Sequence, residues 1–282
     1  MVLHVGLHKT ATSFLQRRVF PRLEGIDFAG YPPMGGQTVK LVARRARPGV
    51  PLLLSDENLS GHPFRGRWIQ EFEESVRGLS LLFPGARVVV GFRAHRSWLV
   101  SVYKQYLNKG GTLTLREFLG FGRPAGIVRE EDAAFGRRLD LLEELFPGRV
   151  FVHTQEEIAE APAPFMEDLC AFLGVPVLEV AALPAGRENV GAGGRQARLL
   201  RRLNGVDAML RKAVVLPTLR NRIFERLSLD PRGLCQRRLA ALGPGRPLAL
   251  PPEVEAWAAA WERDWARVEA ARARRGAIIA GG

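Results

Sequence analysis

Lys9, Thr10, Thr12 and Ser13 stand together in the stretch His4-Val-Gly-Leu-His-Lys-Thr-Ala-Thr-Ser-Phe-Leu-Gln16. One ammonium and three hydroxyls at a helix start, where free N–H groups and the positive dipole end also gather, form a cradle for a phosphate-sized anion. A second anion-seeking group follows in Arg93-Ala-His95-Arg96, with Ser101 eight residues beyond Arg93. A guanidinium fork grips phosphate through two hydrogen bonds at once, and a nearby hydroxyl adds a donor. Between the two lies Ser55-Asp56-Glu57-Asn58, where Glu57 is a candidate general base and Asp56, His62 and His95 compete for that task. The competing reading of Glu57 is a carboxylate that caps the turn Asn58–Gly61.

These residues need elements that bring them to one edge. Val2, Leu3 and Val5 suit a buried first strand, Gly6 lets the backbone turn where a side chain would clash, and Phe14 and Leu15 open a helix over about 13–23 that ends near Pro21 and Gly25. The apolar runs 51–54, 86–92 and 149–152 read as further buried parallel strands. Helical spacing spans 67–83, stopped by Pro84-Gly85, then the segment through Trp98–Tyr106, then Phe135–Phe146 and the segment of Phe165–Leu173. Residues 30–36 read as irregular, 37–46 as a short basic helix, and 195–228 as basic and helical. Val254, Trp257, Trp261, Trp265 and Val268 fall on one face of a helix over 253–270, which reads as a packing face. The expected fold is α/β, a P-loop-like three-layer sandwich with a central parallel sheet and a helical C-terminal extension, with a core over 1–184 and a helical part over 185–282. In such sheets ligands bind at the carboxyl ends of the strands.

The cradle is not the nucleoside triphosphate loop, because His8 stands where that motif has the glycine before lysine, and Leu3 where it has its first glycine. It is not the dinucleotide fingerprint either, since Gly6 alone is present. The stretch Gly6-Leu-His8-Lys9-Thr10-Ala11-Thr12-Ser13-Phe-Leu15-Gln16 resembles the 5′-phosphosulfate loop of sulfotransferases, commonly G-x-H-K-T-G-T-T-x-L-Q in bacterial members. Ala11 replaces the usual glycine, from which negative φ or a slightly reshaped loop is expected.

Arg93 at a strand end, followed by a helix with Ser101-Val-Tyr103, resembles the 3′-phosphate motif of the same family. The usual Asn-Pro after the arginine and a second arginine five residues later are replaced by Ala94-His95 and Trp98, so Arg96 is the candidate for the second charge. Glu156-Glu157 after a strand, and Arg187-Glu-Asn189 in a glycine-rich loop, also resemble family features, while the resemblance to the core runs over about 2–176. It implies 3′-phosphoadenosine 5′-phosphosulfate (PAPS) as co-substrate, without a metal. His8, Lys9, Thr10, Ala11, Thr12 and Ser13 would hold the 5′ side, Arg93 and Ser101 the 3′ phosphate, and Arg187 and Asn189 would cover the nucleotide. Lys9 would neutralise the leaving oxygen, Glu57 would take the acceptor proton as in carbohydrate sulfotransferases, and His62, His95 and Arg96 would lie near the acceptor. The resemblance implies as acceptor a small molecule, a glycan or a lipid-linked glycan.

The 282 residues are 46% hydrophobic, enough for one sizeable core. Cys170 and Cys235 give neither a disulfide framework nor a metal set, and with no apolar stretch of about 18 residues and no leader pattern a cytoplasmic protein without a transmembrane segment is expected. The net charge of +12 is almost all arginine, which suits a polyanionic partner or reflects genome composition, and no nucleic-acid motif accompanies it. Two rivals share parts of this pattern: a nucleotide or small-molecule kinase, and a non-enzymatic basic module that binds polyanions. Oligomeric state is left open by the pattern.

Overall fold

A computed structural model describes residues 1–30, 47–122, 126–183, 193–213 and 247–280. The chain forms two compact units, one of Met1–Trp98, Val128–Glu188 and Ala258–Gly282, the other of Leu99–Ile127 and Asn189–Trp257.

The first unit holds the sheet. Strands β1 (Val2–His4), β2 (Asp27–Gly30), β3 (Leu52–Ser55), β4 (Arg87–Phe92) and β5 (Val150–Thr154) lie in the order β2-β3-β1-β4-β5, with every pairing parallel. Runs such as Val88-Val89-Val90 and Leu52-Leu53-Leu54 are buried along their length, as strands covered on both faces require. The chain places β2 and β3 on one side of β1 and then crosses to β4 and β5 on the other. That reversal opens a crevice at the carboxyl end of β1. His4, the last residue of β1, pairs in register with Ser55, the last of β3, and with Val89 of β4, which runs on to Phe92 beside β5.

Leu15, Val19, Phe151, Phe165, Leu169 and Phe172 belong to one buried cluster with the strand residues Val2, Leu53 and Val89. Each fully buried side chain of this size contributes roughly 1.5–3 kcal/mol by leaving water. The helix Pro162–Leu173 that carries three of them ends at Gly174, whose φ of 70° is the left-handed cap a glycine adopts at no steric cost. Arg275 of the helix Arg275–Ala280 donates to Glu157 and Asp168 and stands 4.8 Å over the Phe151 ring, tying the C-terminal helix to β5.

Two expectations change, and one strand is added. The first helix is Thr12–Phe14, followed by a π-helical Leu15–Val19 and a 3-10 turn Phe20–Arg22 that runs through Pro21 rather than stopping at it. Strand β2 has no signal in the apolar pattern, because as an edge strand it buries only Ala29. The C-terminal tryptophan face is not one helix: Pro252–Ala259 and Glu262–Ala273 are separate, and Trp261 stands at the N-cap position of the second without a side-chain cap bond. No helix of the described residues is long and apolar enough to cross a membrane.

The helix His95–Asn108 begins in the first unit and continues in the second. In the second unit Thr114 and Glu117 close a capping box on the helix Leu115–Phe118. Asn204, on the helix Gly194–Ala213, donates to the carbonyls of Leu107 and Gly111 at 2.8 Å each, and Tyr103 donates to Leu113 O at 2.9 Å. The basic stretch 195–228 is described only as far as residue 213, and residues 31–46 lie outside the described residues.

Candidate active site

The loop after β1 is bracketed by two backbone bonds, Val5 N–H to Val89 O at 3.0 Å and Leu15 N–H to Ala11 O at 3.1 Å. Inside it Lys9 has φ 71° and Ala11 φ 68°, while Thr10 between them does not share the positive sign. Alternation of this kind turns successive N–H groups toward one side and makes a concave anion nest. Ala11 thus takes the left-handed conformation that its loss of glycine argued against, and an L-residue there carries roughly 1–2 kcal/mol of strain. Strain of this size persists where the surroundings over-determine it, and it clusters at ligand clamps. Gly6 is required by close approach rather than by φ: a Cβ would lie 2.3 Å from Thr12 Oγ1.

Thr10 and Thr12 are buried, and both hydroxyls donate to Leu7 O, at 2.6 and 3.3 Å. They brace the loop from within, while Ser13 and Lys9 are half-buried. Beneath the loop, Gln16 Nε2 donates to Ser55 Oγ at 3.0 Å and Ser55 Oγ meets His4 Nδ1 at 2.6 Å, which fixes the helix start to β1 and β3. His4 and His153 are fully buried with rings 6.5 Å apart, and burial followed by their mutual repulsion drives His4 down to about 3. Burial likewise pushes His153 down to about 4, so both are neutral supports of the loop. Gly91 makes room for that ring, since a Cβ there would meet His153 Cε1 at 2.5 Å.

After β3 the chain makes a 3-10 turn, Glu57–Ser60, whose N-cap is Asp56. Asp56 Oδ1 accepts from Asn58 N–H and Nδ2 at 2.9 Å each, so the capping task belongs to Asp56 and not to Glu57. Glu57 reaches back across the sheet edge instead: its Oε1 is 3.2 Å from Nδ1 of His8. His8 Nε2 is 3.0 Å from Gly61 O, and its ring meets Trp68 edge-on at 5.7 Å. Trp68 Nε1 donates to Ser60 O at 2.8 Å, which anchors the whole turn to the helix Trp68–Leu82. His62 lies beside this group, its ring 6.3 Å from that of His8 and its N–H donating to Glu71 at 2.7 Å.

After β4, Arg93 Nε donates to Ser97 Oγ at 2.9 Å. Ser97 Oγ also lies 3.1 Å from Glu156 Oε1, which accepts from Ala94 N–H at 3.2 Å. Burial lowers the Arg93 pKa and the Glu156 charge acts against that. Ser97 and Glu156 are the residues of this edge that the motif reading did not assign, although Glu156 stood in the pattern after β5. Ser101 is four residues beyond Ser97 on the same helix, within the second unit. Arg96 is exposed on the first helical turn. His95 is buried between the rings of Phe135 at 4.2 Å and Trp261 at 5.5 Å, with Nε2 donating to Ala133 O at 2.8 Å. The same Nε2 lies 3.3 Å from Asp264 Oδ2, so this is a buried histidine set against a carboxylate. Arg187 and Asn189 lie outside the described residues. Among the described residues no group of three His, Cys, Asp or Glu side chains is arranged to hold a metal.

No family model and no curated protein matches the chain. Among solved structures it is similar to a sulfotransferase from Alicyclobacillus acidocaldarius, with 17% identity over 67% of this chain and 85% of that one and a TM-score of 0.47. It is also similar to the mouse sulfotransferase SULT7A1 complexed with PAP, with 13% identity over 63% of this chain and 60% of that one and a TM-score of 0.40.

Proposed function

We propose that this chain is a PAPS-dependent sulfotransferase that moves a sulfuryl group to a hydroxyl or amine of a small-molecule, glycan or lipid-linked acceptor. The observation that carries the reading is the grouping, at the carboxyl ends of β1, β3 and β4, of a strained anion nest with Lys9, a carboxylate with no capping task, and an arginine fork. The nest suits a 5′-phosphosulfate: the loop N–H groups and Ser13 hold its oxygens, with Thr10 and Thr12 fixing the loop's shape. Arg93, oriented by Ser97, suits a 3′-phosphate, with Ser101, Arg187 and Asn189 as further candidates for nucleotide contact. Lys9 supplies positive charge where the leaving phosphate oxygen becomes anionic, and charge placed there lowers the barrier more than it tightens binding. Glu57 takes the proton of the acceptor. A kinase reading lacks the glycine-lysine pair at positions 8 and 9, and a pure polyanion binder has no use for a nest on the sheet edge.

The test is nucleotide preference. Adenosine 3′,5′-bisphosphate (PAP) is expected to bind on the order of tenfold to a hundredfold tighter than AMP, because charge-assisted contacts contribute roughly 1.5–3 kcal/mol. Arg93→Ala should abolish the difference without weakening AMP. Calorimetry that gives PAP and AMP equal affinity for the parent chain overturns the assignment.

A further inference from the structure

Resting on the sulfuryl-transfer reading, we infer that His8 and Glu57 share a proton, and that His8 is the positioning residue that holds Glu57 as an aimed carboxylate. A carbonyl oxygen only accepts, so His8 Nε2, at 3.0 Å from Gly61 O, carries a hydrogen. A neutral ring would then present the Nδ1 lone pair to Glu57 Oε1 at 3.2 Å, two acceptors face to face in a buried place. One proton on that line turns the repulsion into an imidazolium–carboxylate contact. The ring is held in this orientation by the Gly61 carbonyl on Nε2 and by Trp68, which meets it edge-on at 5.7 Å.

Among the described residues, other charged and titratable groups around His8 are Lys9 next in the chain, His62 at 6.3 Å between rings, Glu71, which accepts from His62 N–H and lies 3.9 Å from Arg65, and Asp56 on the Asn58 cap. Arg138 stands 5.6 Å over Trp68. Glu57 is the group at contact distance from Nδ1. The exposures divide the labour: the His8 side chain is 5% exposed and that of Glu57 34%, so an acceptor can reach Glu57 while His8 stays covered. In the transfer step the acceptor O–H bond breaks, and its proton goes to the Glu57 carboxylate. The acceptor oxygen's electron pair forms the O–S bond, the S–O bond to the 5′-phosphate breaks with its pair on the phosphate, and the shared proton stays on His8. Glu57 then returns its proton to water.

The experiment is ¹⁵N-histidine NMR on the full chain as a function of pH, with His8 assigned by loss of its signal in His8→Gln, or by its contact with the Trp68 ring should that variant not fold. In the parent chain both His8 nitrogens should keep their protons to a pH at least one unit, tenfold in proton affinity, above the midpoint in Glu57→Gln. In His8→Gln the Glu57 carboxyl, followed by ¹³C, should titrate at higher pH than in the parent chain. Equal His8 midpoints with and without Glu57 overturn the shared proton, and so does a neutral ring at pH 6 in the parent chain. PAP calorimetry on the same samples separates the two readings: PAP binding without coupling leaves sulfuryl transfer standing and removes the pair. Coupling without PAP binding does the reverse.

Discussion

The β1/β3 edge and the β4/β5 edge each present an ionic group to the same crevice, and they are built differently. At β1/β3, holding the structure and facing the ligand fall to neighbouring residues. Asp56 caps the turn while Glu57 reaches His8, and the Thr10 and Thr12 hydroxyls brace Leu7 O while Lys9 carries the charge. At β4/β5 one set of side chains does both, since Ser97 orients Arg93 and contacts Glu156, and Glu156 also receives the Ala94 N–H and offsets the burial of Arg93. Substitutions should therefore separate activity from stability at the first edge and couple them at the second.

The largest expected effect tests the first half of that contrast. Glu57→Gln keeps size and most hydrogen bonding but removes the base, so sulfuryl transfer from PAPS should fall by roughly 10² to 10⁴. Its melting temperature should fall by no more than the lost His8 contact, because the cap is Asp56. A fall as large as that of an Asp56→Ala chain would break the division of labour. Near-normal turnover would remove Glu57 as base and move that role to His62, whose ring lies 6.3 Å from that of His8.

A smaller effect tests the second half. Ser97→Ala removes the acceptor for Arg93 Nε and the hydroxyl beside Glu156 together. A net hydrogen bond contributes about 0.5–1.5 kcal/mol, so unfolding stability should fall by about that much. PAP affinity should fall severalfold in the same variant. Loss of affinity with unchanged denaturant midpoint would show that this edge, too, separates its tasks.

How much of this was legible depended on sequence distance. The nest, its lysine and the first strand lie in one contiguous stretch, and the β3, β4 and β5 strands are apolar runs, so their order and their ligand-bearing ends could be read directly. Strand β2 could not, because an edge strand with one buried side chain has no period to detect. The pairing of His8 with Glu57 spans 49 positions and exists only once β1 and β3 are neighbours. Thr10 and Thr12 were readable as hydroxyls at a helix start, but which way a hydroxyl turns depends on loop geometry. The tryptophan spacing was helical throughout, and the break at Ala260–Trp261 has no glycine or proline to announce it. Trp261 takes its place there by stacking on His95.

The smallest expected effect concerns Ala11 alone and asks whether the first edge carries its strain in the backbone. With φ at 68°, Ala11 occupies a conformation that costs an L-residue roughly 1–2 kcal/mol and glycine almost nothing. Glycine gives the unfolded chain more freedom, which takes back roughly 0.4–1 kcal/mol. The balance for Ala11→Gly is a net stabilisation of up to about 1.6 kcal/mol, measured as a higher denaturant midpoint at unchanged slope. PAP affinity should stay within about twofold, since the Ala11 side chain carries no polar group and its N–H remains. Lys9, at φ 71°, supplies the control: Lys9→Gly relieves the same kind of strain but removes the ammonium, so it should weaken turnover while Ala11→Gly leaves it intact. An Ala11→Gly chain that is less stable than the parent would mean that residue 11 is not left-handed in the folded loop, and the nest would have to be redrawn with Lys9 as its sole positive-φ residue.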